Sequence, residues 1–230
     1  MSEVILALDV GTAEEAERLL DVVPRVSWVK VGSVLLTREG GALTRRLVAR
    51  GLNVFLDLKW HDIPNTVAGA VAQARDMGVA MATVHTLGGR PMMEAAAAEA
   101  GDRLALLGVT VLTSHDAPGY ARATGHDAVN LEAEVERLGC AARDSGLAGI
   151  VCSPAEVARM RSVLGQGALL VVPGIRRNGD RVGDQQRVAT PAAATAAGAT
   201  HLVVGRPVLD AADPAAAFSA FLEEAECTPS

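Results

Sequence analysis

The fold class that the sequence predicts is α/β, and within it a single (β/α)8 TIM barrel. Eight short β-branched or Leu-rich runs alternate along the chain with longer segments rich in Ala, Leu, Glu and Arg. The runs are almost continuously apolar, which is typical of parallel strands buried on both faces. Eight such units in 230 residues fit a compact barrel of this kind, which has about 250 residues. We expect one domain over residues 1–230.

Each strand and helix is predicted from these runs and from the residues that flank them. The predicted strands are Val4–Leu8, Trp28–Val31, Asn53–Leu58, Met81–His85, Leu104–Leu112, Gly149–Cys152, Leu169–Val172 and His201–Gly205. The predicted helices are Ala13–Val22, Glu39–Arg50, Asn65–Met77, Pro91–Ala100, Leu131–Ser145, Pro154–Val163, Pro191–Ala197 and Pro214–Glu224. Thr190, Ser153 and Asp213 each precede a proline, as N-cap residues do before a first helical turn. Glycines such as Gly51 and Gly198 follow predicted helix ends, as C-caps do.

The alternative α/β arrangement is an open, doubly wound sheet. A sheet of that kind that binds a dinucleotide carries a G-x-G-x-x-G fingerprint after its first strand. The chain instead reads Leu-Asp-Val-Gly-Thr at residues 8–12, which lacks the fingerprint and favours the barrel.

Composition and charge exclude several classes of protein. The net charge is −6 and aromatic residues make up only 3%, so we expect no nucleic-acid surface and no attraction to an anionic membrane. No apolar run reaches the roughly 18 residues that span a membrane. The three cysteines, Cys140, Cys152 and Cys227, lack metal-ligand spacing, and the first residues lack the basic region of a signal peptide. We therefore expect a reduced, cytoplasmic protein.

Polar residues end most of the predicted strands, at the rim where barrels of this kind hold their active sites. They include Asp9, Lys30, Asp57, Lys59, Asp62, His85, Thr113, Ser114, Arg176 and Arg206. Asp57 and Lys59 are two residues apart, so on a strand their side chains share one face. Burying both against the helices would be costly, so we expect them in the barrel mouth.

We expect Lys30, Asp57, Lys59 and Asp62 to form an alternating network of ammonium and carboxylate groups. Carboxylates on either side of Lys59 favour its ammonium form, which suits a proton donor better than a nucleophilic amine. A carboxylate in the network could also oppose a negative group that leaves the substrate as a neutral molecule. The alternative is a cluster of ion pairs that only solubilises the barrel mouth.

A basic, glycine-punctuated loop at residues 174–187 follows the seventh strand, and Gly205 and Arg206 follow the eighth. Barrels of this kind usually bind phosphate at these two positions. Arg176 and Arg206 can each offer a bidentate pair of donors. The alternatives are a solvated surface lid for the loop and an ordinary rim residue for Arg206.

The five histidines give no sign of a metal centre. Four of them lack ligand spacings such as H-E-x-x-H, namely His61, His115, His126 and His201. His85 ends a strand, where it either contacts a ligand or is a hydrogen-bonded rim residue. We therefore predict no metal site.

The segment Asp-Leu-Lys-Trp-His-Asp-Ile-Pro-Asn-Thr at residues 57–66 resembles the D-x-K-x-x-D-I-P-N-T signature of the orotidine 5′-phosphate decarboxylase family. Shorter segments resemble the family in the same order along almost the whole chain, at residues 6–9, 29–32, 83–85, 111–114, 173–176, 183–185 and 204–207. The resemblance implies decarboxylation of orotidine 5′-monophosphate to uridine 5′-monophosphate and CO₂ in de novo pyrimidine biosynthesis. It also implies that the enzyme uses no metal and no organic cofactor.

The resemblance implies a role for each matching residue. Lys59 would donate a proton to C6 of the pyrimidine, and Asp57 would face the leaving carboxylate. Lys30 and Asp62 would complete the charged array. The other implied substrate contacts are Asp9, Ile63, Thr66, Thr113, Ser114, Pro173, Arg176, Gln185, Gly205 and Arg206. The family works as a homodimer in which the residues matching Asp62 and Thr66 reach the partner's site, and Arg177 departs from its pattern by replacing a common proline.

Two other interpretations stay open. The 3-keto-gulonate 6-phosphate decarboxylases and hexulose phosphate synthases share the barrel and a D-x-K-x-x-D core but bind Mg²⁺, and Ile-Pro-Asn-Thr after Asp62 argues against them. A catalytically silent protein that binds a nucleotide phosphate is the second interpretation. The intact set of Asp57, Lys59 and Asp62 disfavours it.

Overall fold

Eight parallel strands close into a barrel in the computed structural model of the protein, which describes residues 1–180 and 188–226. Neighbouring strands follow the chain order, and the eighth strand pairs with the first. The strands are β1 (Glu3–Ala7), β2 (Trp28–Gly32), β3 (Asn53–Trp60), β4 (Met81–His85), β5 (Ala105–Val109), β6 (Gly149–Val151), β7 (Leu169–Val172) and β8 (His201–Val204). The predicted (β/α)8 barrel is therefore confirmed.

Helices connect the strands on the outside of the barrel. They are α1 (Ala13–Val22), α2 (Ser33–Ala49), α3 (Pro64–Asp76), α4 (Gly89–Ala100), α5 (Ala117–Thr124), α6 (Leu131–Asp144), α7 (Val157–Leu164), α8 (Pro191–Ala197), α9 (Arg206–Leu209) and α10 (Pro214–Glu226). Short 3₁₀ turns at Thr86–Gly88 and Pro154–Glu156 precede α4 and α7. Within the parts of the chain described, none of the helices combines the length and apolar character needed to cross a bilayer.

The structure differs from the prediction mainly in the bounds of two elements and in two added helices. Helix α2 begins at Ser33 rather than Glu39, and it continues through a kink at Gly40, whose φ is 62°. The predicted strand Leu104–Leu112 ends at Val109, because Val109 is the last residue of β5 that pairs with β6. Two short helices, α5 and α9, were not predicted. The signals for α5 were present, since the side chain of Asp116 caps its first turn and Gly125 ends it in the left-handed conformation.

Two separate apolar layers explain why the strands read as almost continuous apolar runs. Side chains on the inner face of the strands fill the barrel, and these buried residues are Ile5, Ala7, Phe55, Met81, Leu107, Val171 and Val203. Their neighbours on the outer face, such as Leu6, Val29 and Leu56, pack against the helices. Successive residues of a strand therefore both become buried.

The inner face of the barrel changes from apolar to charged towards the carboxyl ends of β2 and β3. Trp28 is followed two residues later by Lys30, and Phe55 is followed by Asp57. The register pairs Lys30 with Phe55 and Gly32 with Asp57. This alternation places the lysine and the aspartate above the apolar core on adjacent strands, inside the barrel mouth.

Candidate active site

A cavity of about 240 Å³ opens at the carboxyl ends of the strands. Nine of the predicted site residues line it, namely Asp9, Lys30, Asp57, Lys59, Thr113, Pro173, Arg176, Gly205 and Arg206. The rest of the wall is mostly apolar and includes Phe55, Val109, Val151 and Val203. The cavity therefore combines a few charged groups with an apolar floor, as small-molecule sites commonly do.

Four charged residues form a continuous chain of ion pairs along one side of the cavity. The Nζ atom of Lys30 lies 2.8 Å from Oδ1 of Asp9 and 3.9 Å from Oδ2 of Asp57. The Nζ atom of Lys59 lies 2.8 Å from Oδ1 of Asp57. The order is Asp9, Lys30, Asp57, Lys59, so the alternating network gains Asp9 beyond Lys30 and lacks Asp62, which we had expected beyond Lys59.

The inner members of this chain are shielded from solvent, whereas Lys59 faces the open mouth. Only 12% of the Lys30 side chain and 16% of the Asp57 side chain are exposed, against 38% for Lys59. Charges interact more strongly when water is excluded around them. The arrangement thus leaves one ammonium group available to a ligand and holds it against a largely shielded carboxylate.

The backbone at Lys59 has an unusual conformation. Lys59 has a φ of 52°, in the left-handed region that residues with a side chain seldom occupy. It lies in an irregular part of β3, where the register with β4 shifts between Leu56 and Trp60. The backbone N–H of Lys59 donates a hydrogen bond of 2.8 Å to Oγ1 of Thr83 on β4. Conformations of this kind concentrate at functional sites.

Two arginines lie on the far side of the cavity from Lys59. Arg176 follows β7 and is 7% exposed, and its Nη1 donates to the carbonyl oxygen of Ile175 at 2.8 Å. Arg206 follows β8 and is exposed at the cavity rim. Because β3 and β7 lie opposite each other in an eight-stranded barrel, the cavity has an ammonium group at one end and guanidinium groups at the other.

Arg177, the departure from the family pattern, lies beside these arginines in an adjoining cavity. Its guanidinium carbon is 5.3 Å from the ring centroid of Phe221 on α10, and its backbone N–H donates to Oδ2 of Asp180 at 2.8 Å. Arg177 therefore attaches the start of the loop after β7 to the outer helix layer.

Four predicted site residues do not line the cavity, and a fifth lies outside the described residues. Residues 61–66 are all exposed, and among them are Asp62, Ile63 and Thr66. The Oδ1 atom of Asp62 accepts a hydrogen bond of 2.6 Å from the N–H of Ile63. Ser114 is exposed beyond the cavity wall. Gln185, with the rest of residues 181–187, lies outside the described residues.

His85 and His61 stack with their ring centroids 5.6 Å apart beside the 3₁₀ turn. Nδ1 of His85 accepts a hydrogen bond of 3.3 Å from the N–H of Leu87. Burial, together with the nearby His61 and Lys59, lowers the pKa of His85 to about 4, so its ring is neutral at pH 7. Of the two alternatives for His85, a ligand contact or a hydrogen-bonded rim residue, the structure favours the rim residue.

Residues 1–180 and 188–226 contain no group of three or more His, Cys, Asp or Glu side chains placed to hold a metal ion.

Sequence reasoning missed Thr83, which contacts two residues of the charged site. Thr83 is fully buried, and its hydroxyl donates to Oδ1 of Asp57 at 3.1 Å as well as accepting from Lys59. The alternation along Met81–His85 could have identified it, because Thr83 shares the inner face with Met81.

Comparison with known proteins places the chain among enzymes of one family. The model of the orotidine 5′-phosphate decarboxylase / HUMPS family matches residues 2–221. Orotidine 5′-phosphate decarboxylase of Halorhodospira halophila is 54% identical over 224 residues, covering 96% of this chain and 94% of that protein. The crystal structure of orotidine 5′-phosphate decarboxylase from Lactobacillus acidophilus superposes with a TM-score of 0.88 at 34% identity, covering 99% of this chain and 100% of that one. The chain therefore belongs to the orotidine 5′-phosphate decarboxylase / HUMPS family.

Proposed function

We propose that the protein decarboxylates orotidine 5′-monophosphate to uridine 5′-monophosphate and CO₂, a step of de novo pyrimidine biosynthesis, without a metal or organic cofactor. The observation that carries the proposal is the placement of Lys59. Its ammonium group lies 2.8 Å from the carboxylate of Asp57, in a cavity with arginines at the opposite end. A pyrimidine nucleotide has the matching features, a reactive carboxylate at one end and a phosphate at the other.

The reaction requires a proton donor beside C6 of the pyrimidine. When the bond between C6 and the carboxylate breaks, the electron pair stays on C6, in the plane of the ring and outside its π system. The barrier is therefore very high, and the largest enzymatic accelerations correspond to about 20 kcal/mol or more. The Lys59 ammonium stabilises the developing negative charge and then transfers a proton to C6. Solvent returns a proton to the Lys59 amine.

Asp57 faces the carboxylate that leaves as CO₂. Its Oδ1 atom accepts hydrogen bonds from Nζ of Lys59 and from the hydroxyl of Thr83, so the group is held in place. A fixed carboxylate opposes the negative substrate group, and this opposition ends once neutral CO₂ forms. Lys30 balances the charge of Asp57 and, with Asp9, holds the ribose hydroxyls.

The phosphate provides binding energy at a distance from the reacting carbon. Arg176 and Arg206 bind it beside Gly205, where charge-assisted, bidentate hydrogen bonds are strong. Binding energy from a remote group can order the site and exclude water around the reacting atoms. We also assign Thr113, Ser114 and Pro173 to the pyrimidine side, and Gln185 to a bridge between base and phosphate.

The active form is a homodimer in which Asp62 and Thr66 act in the partner's site. Two features of residues 61–66 support this part of the proposal. The stretch is exposed and does not line the cavity of its own chain, and Ile63 within it is 66% exposed. A two-fold interface places the same surface of both chains against each other, so an exposed stretch of one chain can reach the cavity of its partner.

Complementation between two inactive variants tests the shared site. We expect Lys59→Ala and Asp62→Ala each to be strongly impaired alone. Co-expressed with different tags, they form mixed dimers in which one of the two sites contains both native residues. Activity should return to about a quarter of the wild-type value when subunits pair at random.

The matched control for complementation is a mixture of Lys59→Ala and Asp57→Ala. Both changes damage the site of their own chain, so every site in the mixed dimer stays defective. Equal recovery in the two mixtures, or recovery in neither, would contradict the proposed contribution of Asp62 to the partner.

The direct test of the reaction is the ultraviolet absorbance of orotidine 5′-monophosphate during incubation with the purified protein in excess EDTA. We expect the absorbance to fall at the same rate with and without EDTA. Loss of activity that Mg²⁺ restores would instead favour the sugar-phosphate enzymes of the same family. Binding of the nucleotide without turnover would favour the catalytically silent binding protein.

We further propose that the enzyme works in the cytoplasm. The thiols of the protein support this location, because the cytoplasm keeps cysteines reduced. Burial raises the pKa of the Cys152 thiol, which makes this residue unreactive. Cys140 and Cys152 are both free thiols, whereas Cys227 lies outside the described residues.

A further inference from the structure

The irregular part of β3 is organised around a single residue of β4. Leu56 pairs with Ala82, and Trp60 pairs with Val84. Residues 57–59 of β3 therefore lie opposite Thr83 alone, and the regular ladder of backbone hydrogen bonds is interrupted there. The interruption includes both Asp57 and Lys59.

The hydroxyl of Thr83 replaces the missing ladder bonds with side-chain bonds. It accepts the N–H of Lys59 at 2.8 Å and donates to Oδ1 of Asp57 at 3.1 Å. A hydroxyl has one proton to donate, and Thr83 directs it to the carboxylate. The residue is 0% exposed, so water cannot take over either bond.

These two hydrogen bonds hold the backbone of Lys59 and the carboxylate of Asp57 in one geometry. Lys59 has a left-handed backbone conformation, which persists only where the surroundings maintain it. That backbone conformation sets the direction in which the Cα–Cβ bond of Lys59 points. The second bond restricts rotation of the Asp57 carboxylate, which is also the group that accepts from Nζ of Lys59.

We propose that Thr83 is a positioning residue for decarboxylation, because its hydroxyl ties the Lys59 backbone to the Asp57 carboxylate and so aims the ammonium group. This role rests on the proposed function of the site. Thr83 does not line the cavity, so it acts through Asp57 and Lys59 rather than on the substrate. Losing the hydroxyl should reduce the rate of the chemical step more than it weakens substrate binding.

The chain offers a matched control in Thr86. This threonine is also buried, and its hydroxyl donates to the carbonyl oxygen of Val109 at 2.8 Å. It thus makes a comparable buried hydrogen bond to β5 without contacting Asp57 or Lys59. Thr86→Val and Thr83→Val remove the same atom type from similar environments, and only the second removes it from the site.

The test measures kcat, KM for orotidine 5′-monophosphate and the melting temperature of Thr83→Val, Thr83→Ser and Thr86→Val. We expect Thr83→Val to lower kcat about 100-fold, as small displacements of reacting groups do, with KM changed less than about threefold. Thr83→Ser keeps the hydroxyl and should recover most of the wild-type kcat. Thr86→Val should lower the melting temperature while leaving kcat close to wild type. Thr83→Ala removes the hydroxyl a second way if the valine variant does not fold.

Each contrary result has a distinct meaning. A wild-type kcat in Thr83→Val or Thr83→Ala would overturn the role of Thr83 while leaving the proposed function intact. Equal losses of kcat in Thr83→Val and Thr86→Val, or no recovery in Thr83→Ser, would show a purely structural effect and overturn it too. A wild-type protein that does not consume orotidine 5′-monophosphate would overturn the proposed function itself, and the positioning role with it.

Discussion

Replacement of Lys59 by alanine should abolish decarboxylation, with kcat/KM reduced by at least about 10⁴-fold. The expected loss is large because one group supplies both the proton and the electrostatic stabilisation of the carbanion, each worth about 10²-fold or more. No other cation in the described cavity wall is placed like Lys59, since Lys30 is held between Asp9 and Asp57. Steady-state kinetics with orotidine 5′-monophosphate measure the loss.

The barrel of the Lys59→Ala variant should remain folded. The lysine side chain is 38% exposed, and Asp57 keeps the Lys30 ammonium and the Thr83 hydroxyl as partners when the Lys59 ammonium is removed, so its carboxylate is not left unpaired. Alanine and lysine both carry a β-carbon, so the cost of the left-handed backbone is similar in the two proteins. A melting temperature near that of the wild type is the control. Decarboxylation within tenfold of the wild-type rate in this folded variant would refute the assignment of Lys59.

Replacement of Arg206 by alanine should reduce kcat/KM for orotidine 5′-monophosphate by about 10²- to 10³-fold, the usual effect of removing one partner from a charged, hydrogen-bonded contact. Arg206 is exposed at the rim, so its loss should leave the apolar core and the fold unchanged. Part of the loss should appear in kcat, because phosphate binding energy also serves to order the site.

The nucleoside orotidine, which lacks the phosphate, provides the control for Arg206. Without a phosphate to bind, wild-type enzyme and Arg206→Ala should convert orotidine at the same low rate. A large effect of Arg206→Ala on orotidine would indicate a role at the base or ribose. Unchanged kinetics with the full nucleotide would place the phosphate site elsewhere.

Much of the fold was predictable because its signals are local. Helices α1 and α8 have the predicted bounds. Thr12 caps the first turn of α1, and Thr190 and Gly198 mark the two ends of α8. Helix α5 was not predicted, although Asp116 and Gly125 mark its two ends. The predicted fifth strand was three residues too long, because it ended at Leu112 whereas β5 ends at Val109. Strand ends depend on whether a neighbouring strand continues to pair, which the segment itself does not encode.

The candidate site was also predictable where its signals are local and unpredictable where they are not. Residue types at the strand ends indicated Lys30, Asp57 and Lys59, and the structure brings these three together. The same reasoning placed Asp62 in the network of its own chain as well, but there its carboxylate accepts from the N–H of Ile63 instead. Loop residues have no periodicity that fixes their direction, so the sequence could not show which way Asp62 points.

By itself, the sequence determined the order of strands and helices and the charged residues that meet at the barrel mouth. Hydrophobic periodicity, caps and two-residue alternation all act over a few residues, so they can be read from one chain. Only the tertiary structure decided that β3 and β4 lose their register opposite Thr83, and that Lys59 takes a left-handed conformation there. That outcome depends on pairing between strands more than twenty residues apart, and pairing over such a distance is a property of the closed barrel.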